Sequence, residues 1–212
     1  MEKLARKLAN NISLSLGYDS EKEAVIAYGL IAIIQIVFTT LLVLLFGLLI
    51  GTPAEALIVC FSVSFLRKYS GGAHARTAEI CTAFSVFYCI TAAVIANKLL
   101  TVIYNPFIMT AAIIIIYLLS YIIVYKVAPV DSPNKPIRTE IKKKKMKKGS
   151  FIVLSIYFII SVLLLASGYK MFFSYGISLL FGVSWQIFTL THTGAKFIDF
   201  INHMFTYNEK KS

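Results

Sequence analysis

The polar stretch RKYSGGAHARTAEIC, Arg67 to Cys81, lies between two apolar runs and holds one imidazole, His74, and one thiol, Cys81. A neutral imidazole can take a proton from a thiol, and the resulting thiolate is a nucleophile. That transfer needs the two heavy atoms roughly 3 to 4 Å apart. On one continuous helix, residues seven apart share a face but lie about 10 Å apart along the axis. The chain must therefore fold back here, and Gly71-Gly72 supplies the permissive backbone for the bend. Thr77 is predicted to cap a new helix that carries Cys81 in its first turn or just after it. A helix N-terminus and a neighbouring imidazolium both favour a thiolate.

The elements around this stretch read as membrane spans. Of 212 residues, 58% are apolar and the mean hydropathy is +0.78. Soluble domains hold about 45–50% apolar residues. Residues 1–22 are charged and amphipathic, with Leu4, Leu8, Ile12 and Leu16 at four-residue spacing. They predict an interfacial helix rather than a removable signal. Ala24–Ile50 is long enough to cross a bilayer, and a Gly51-Thr52-Pro53 turn follows. Ala54–Leu66 is short for a crossing of about 20 residues and is predicted to be a short or partly re-entrant segment. Ala78–Ala96, Phe107–Val127, Phe151–Ala166 and Met171–Leu190 complete an expected set of about six spans in one all-α polytopic domain covering residues 1–212. Residues 128–149 form a basic loop with three prolines and a lysine run, and the tail from Thr193 looks interfacial.

The formal charge is +11. With cytoplasmic termini and six crossings, 19 of the 21 Lys+Arg fall inside, and only Lys98 and Lys170 fall outside. This asymmetry fixes the expected orientation and puts residues 67–81 at the cytoplasmic face of the cell membrane. The basic residues flank apolar spans, so anionic lipid rather than nucleic acid is the expected partner. Cys60 and Cys89 sit inside apolar runs and read as small core residues. His192 and His203 have no carboxylate or cysteine to complete a metal set, and no metal or cofactor is expected.

Two readings of His74 and Cys81 stay open on these residues alone. One is a membrane cysteine hydrolase or acyl transferase; the other is an ordinary capped thiol beside a loop histidine. Arg67 is either a bidentate carboxylate binder or a positive-inside anchor. Glu79 either orients His74 or serves as an acid in a first helical turn. Gln35 and Glu55 are polar groups in or near spans and so are functional candidates; Glu55 reads as an outer-end cap.

Arg67, Gly71-Gly72-Ala73-His74-Ala75 and Cys81 resemble the motif of the accessory gene regulator protein B (AgrB) family. The amphipathic start, the short second apolar segment and the APVDSPNKPI loop before a lysine run extend the resemblance over most of the chain. It implies a membrane cysteine endopeptidase with His74 and Cys81 as its catalytic pair, and importance for Arg67 and Gly72. It also implies an AgrD-like pro-peptide substrate and a homodimer. In the family, the acidic C-terminal tail of the pro-peptide is removed. The acyl-enzyme thioester is then attacked by an internal thiol or hydroxyl, which closes a thiolactone or lactone. Thioester exchange is close to energy-neutral, so the ring can close without ATP, provided water is kept out. Lys68, Arg76 and the Lys142–Lys148 run are candidate contacts for the acidic tail. The competing expectations are a peptide exporter and a scaffold without chemistry.

Overall fold

In hydrocarbon every backbone N–H and C=O must find its partner within the chain. The computed structural model describes residues 2–73, 75, 77–100, 105–131 and 139–209, and helices meet that demand through nearly all of them. Eight α-helices are described: α1 (Glu2–Leu16), α2 (Ser20–Ile50), α3 (Pro53–Ser70), α4 (Ala78–Val94), α5 (Pro106–Val127), α6 (Glu140–Ala166), α7 (Lys170–Leu190) and α8 (His192–Glu209). A π-helical turn, Ile95–Leu100, extends α4.

Local chemistry sets the boundaries. Asp19 caps α2 by accepting from Lys22 N at 2.9 Å. Gly51, at φ 81°, closes α2 with its N–H turned back to Gly47 O and Leu48 O. Asn105 Oδ1 accepts from Phe107 N and Ile108 N ahead of α5, where Pro106 takes a first-turn position that needs no amide donor. The lysine run is helical and opens α6 instead of lying in a loop. Lysine is a good helix former, and Glu140 supplies an acid in the first turn, where the helix dipole favours it.

Among the described residues, five helices are long and apolar enough to cross a bilayer: α2, α4 with its π-helical extension, α5, α6 and α7. α3 is 18 residues long and continuous, and the polar residues Arg67 to Ser70 extend it beyond its apolar run. Of the five, α7 is the least apolar yet the most enclosed: 61% of its apolar window is buried, against 11% for α2. Enclosure by protein supplies partners for the buried polar residues Ser174, Ser178, Gln186 and Thr189 that α7 carries. α7 therefore forms the axis of the bundle. Its most extensive partner is α3, and Gly182 permits that approach by leaving room for Ser62 and the Val59 carbonyl.

Leu66, Tyr117, Leu154, Tyr157 and Val183 fill the core shared by α3, α5, α6 and α7. Cys60 and Cys89 are buried in a second cluster with Val43, Val59 and Ala93, as small core residues should be. α1 packs on α2 through Ala5, Ala9 and Ser13, which leaves Leu4, Leu8 and Ile12 facing outward.

The two ends of the bundle differ in chemistry. At one end, buried Glu55 accepts from Asn97 Nδ2 at 2.6 Å and from Ser174 Oγ at 2.8 Å. Glu55 thus ties α3 to α7 and to the π-helical turn, going beyond a cap. The other end gathers Ser70, Gly71, Val130, Thr189 and the start of α4.

Candidate active site

The site is built where α3 stops. Gly71 (φ 70°) and Gly72 (φ 130°) both adopt backbone conformations that side chains disfavour, and they turn the chain out of the α3 axis. Gly71 N–H closes α3 on Arg67 O, while Val130 N–H donates to Ser70 O at 2.9 Å, pinning the turn to the segment after α5. A β-carbon on Gly71 would collide with Val130 O. One on Gly72 would stand 2.9 Å from Thr189 Oγ1 and 3.3 Å from Gln186 Nε2.

From the other side, α7 grips the turn. Gln186, wholly buried, donates from Nε2 to Gly71 O at 2.7 Å and to Ser70 Oγ at 3.0 Å. Thr189 O accepts from Ala73 N at 3.2 Å, and the Ala73 carbonyl accepts from Arg67 Nη2. Both polar backbone groups of Ala73 are thereby held, one by α7 and one by α3. His74 and Arg76 lie outside the described residues.

The chain then enters α4 as its sequence predicts. Thr77 takes extended backbone angles, and its Oγ1 accepts from Ile80 N at 3.3 Å. Cys81 follows one position beyond the capped turn, with its own N–H on Thr77 O at 3.1 Å. Its side chain is half-buried and borders a small, partly open cavity. Arg67, Ala73, Ala75 and Ser85 line this cavity with Cys81, and Phe84, Trp185, Ile198 and Ile201 give it an apolar wall.

The apolar wall is part of a larger aromatic cluster. The Trp185 ring lies 5.3 Å from Phe84, 4.6 Å from Tyr88 and 5.7 Å from Phe188, centroid to centroid. Phe197 of α8 meets Phe84, Trp185 and Phe188 edge-on. The C-terminal helix is thus docked on α7 and α4, and its Ile198 and Ile201 cover the cavity with hydrocarbon.

Of the residues singled out from sequence, Arg67 and Cys81 share the cavity, and Gly71 and Gly72 shape the turn beside it. Lys68 is exposed, with Nζ 5.7 Å from the centre of the Tyr69 ring, and does not line the cavity. Glu79 is exposed in the first turn of α4 and also lies off the lining. Gln35 and Glu55 are likewise absent from it. Gln186, Thr189, Trp185, Ile198 and Ile201 were not legible as site residues. For Gln186 a signal existed, since a strongly polar side chain inside an apolar run is a functional candidate by the rule that flagged Gln35.

A bundle of apolar helices with a thiol cavity at one end is the architecture of a polytopic membrane protein with a candidate cysteine site. Residues 1–190 match the sequence profile described as accessory gene regulator B, AgrB, and the chain belongs to that family. Two relatives from Clostridium perfringens, AgrB-like protein 2 of strain 13 and an AgrB-like protein of strain SM101, are each 39% identical over 198 residues, covering 92% of both chains. An AgrB-like protein from Halalkalibacterium halodurans is 29% identical over 196 residues, covering 92% of this chain and 89% of its own. No solved structure matches. With this membership and its five long apolar helices, the chain is a multi-pass membrane protein of the agr quorum-sensing system.

Proposed function

We propose that this protein is a membrane-embedded cysteine endopeptidase that removes the C-terminal tail of an AgrD-like pro-peptide and promotes its cyclisation. The observation that carries the reading is the cavity: Ala73 and Ala75, the chain neighbours of His74, line it together with Cys81. In this reading His74 takes the Cys81 proton, and the sulfur bonds to the carbonyl carbon of the scissile peptide. The C–N bond then breaks, and the amine leaves with the proton returned by His74. The peptide remains as a thioester on Cys81. An internal thiol or hydroxyl attacks that thioester, closes the ring and restores the Cys81 thiol.

The apolar wall supports the second half of this chemistry. Water competes with the internal nucleophile for the thioester, and a hydrocarbon cover of Phe84, Trp185, Ile198 and Ile201 limits its access. The lysines that open α6, with exposed Lys68, form a basic surface suited to an acidic tail. In this reading this end of the bundle faces the cytoplasm, which the positive-inside pattern of the basic residues supports.

Reconstitution tests the proposal. The purified protein in anionic liposomes is mixed with a synthetic pro-peptide bearing an amphipathic leader, a central cysteine and an acidic tail. The expected result is a free tail and a cyclic leader-bearing product, with neither formed by Cys81→Ala. Intact peptide carried across the bilayer without cleavage would instead identify an exporter.

A further inference from the structure

Formation of the tetrahedral intermediate puts a negative charge on the former carbonyl oxygen, and that oxygen needs hydrogen-bond donors near the sulfur. A nucleophile at a helix start often draws them from its own first-turn amides. Here the nearest ones are engaged. Cys81 is the fourth residue of α4, so its N–H already closes the helix on Thr77 O, and the Ile80 N–H is held by Thr77 Oγ1.

The same cavity is lined by a cation with donors to spare. Arg67 Nη2 is fixed on the Ala73 carbonyl, which orients the guanidinium plane. Its Nε is buried and meets no acceptor among the described residues. A buried unpaired donor is a burden that structures otherwise avoid. Among the described residues no Asp or Glu lines the cavity to neutralise the charge, and the Cys81 thiol is close enough to act electrostatically on Arg67.

We propose that the Arg67 guanidinium is the oxyanion donor of this site. The proposal rests on the reading of Cys81 as the nucleophile. As the S–C bond forms, the carbonyl π pair moves onto oxygen and is received by guanidinium N–H groups. When the C–N bond breaks, the pair returns to the carbonyl and the amine leaves with the proton from His74. Arg67 changes neither charge nor bonding in the cycle, so its contribution is confined to the transition state. Hydrogen bonds of this kind tighten only in the reacting complex.

The test compares wild type with Arg67→Ala and Arg67→Lys by three readouts. These are kcat and KM on the synthetic pro-peptide, the affinity of the aldehyde acetyl-Leu-Leu-norleucinal, and Cys81 alkylation by iodoacetamide at the alkaline plateau of its pH profile. The aldehyde places a tetrahedral oxygen where the oxyanion would sit; alkylation forms no such oxygen. Arg67→Ala is expected to lower kcat by about 10²–10³-fold, the usual cost of one oxyanion donor. Aldehyde affinity should fall with kcat, and alkylation should not change. Should Arg67→Ala fail to fold, Arg67→Lys carries the same comparison, because it keeps the charge and loses the planar fork. Alkylation falling in step with kcat would overturn the proposal, by assigning Arg67 to the thiol or to the fold. So would an effect on KM alone that vanishes with a neutral-tailed peptide, which would assign Arg67 to the tail. Tail release by Cys81→Ala would instead remove the nucleophile assignment, and this proposal with it.

Discussion

Cys81→Ser is expected to slow tail release by at least roughly a thousand-fold, with membrane insertion and thermal midpoint unchanged. The substitution replaces one atom. The side chain is half-buried at a cavity edge, and its backbone N–H is held by Thr77 O, so a hydroxyl of similar shape is accommodated in the same place. What changes is chemistry. A serine hydroxyl ionises far less readily than a thiol, and an imidazole suited to a thiol is a weak base for it. The other two cysteines supply the contrast. Cys60 and Cys89 are buried between α2, α3 and α4 and touch no cavity near the site. Serine there should lower stability and spare the rate. Release kinetics on the three single variants, each with a melting curve, checks the whole pattern.

Gly71→Ala should reduce tail release by about a hundred-fold or more, since displacing a catalytic group by about 1 Å costs that much. The backbone there sits at φ 70° and ψ −147°, and an added methyl would run into Val130 O. The turn must shift, and with it the grip of Thr189 O and Arg67 on Ala73, next to His74 in the chain. Gly17 and Gly168 are the controls. Both have positive φ, yet nothing lies within 4 Å of an added β-carbon at either position. Alanine there should bring only the local strain, about 1–2 kcal/mol, and no loss of rate. Cys81 alkylation should persist in Gly71→Ala, because the turn is displaced while the nucleophile stays on an intact α4.

Local rules explain why so much of this end was readable. Thr77 caps α4, Gly71-Gly72 turns the chain, and the arginine, turn and thiol of one short stretch meet at one cavity. Each depends on neighbours in sequence. The remainder of the site does not. Trp185 and Gln186 come from α7, and Ile198 and Ile201 from α8, more than 100 residues downstream of Cys81. Only packing brings them there, and in a chain where most positions are apolar an aromatic wall has no pattern of its own. The lysine run misled in a related way: its polarity reads as loop, while its intrinsic preference is helical and the apolar segment after it carries the helix on. In α1 the conspicuous leucines face outward, and the inconspicuous Ala5, Ala9 and Ser13 make the contact with α2, because small residues let backbones approach.

The most direct measurement is acid quenching of the protein during turnover of the synthetic pro-peptide, followed by digestion and mass spectrometry of the Cys81 peptide. An acyl adduct equal in mass to the pro-peptide without its tail, on Cys81 and removed by hydroxylamine, is the predicted result. Tail release with Cys81 unmodified throughout, or with the adduct on Cys60 or Cys89, would contradict the account.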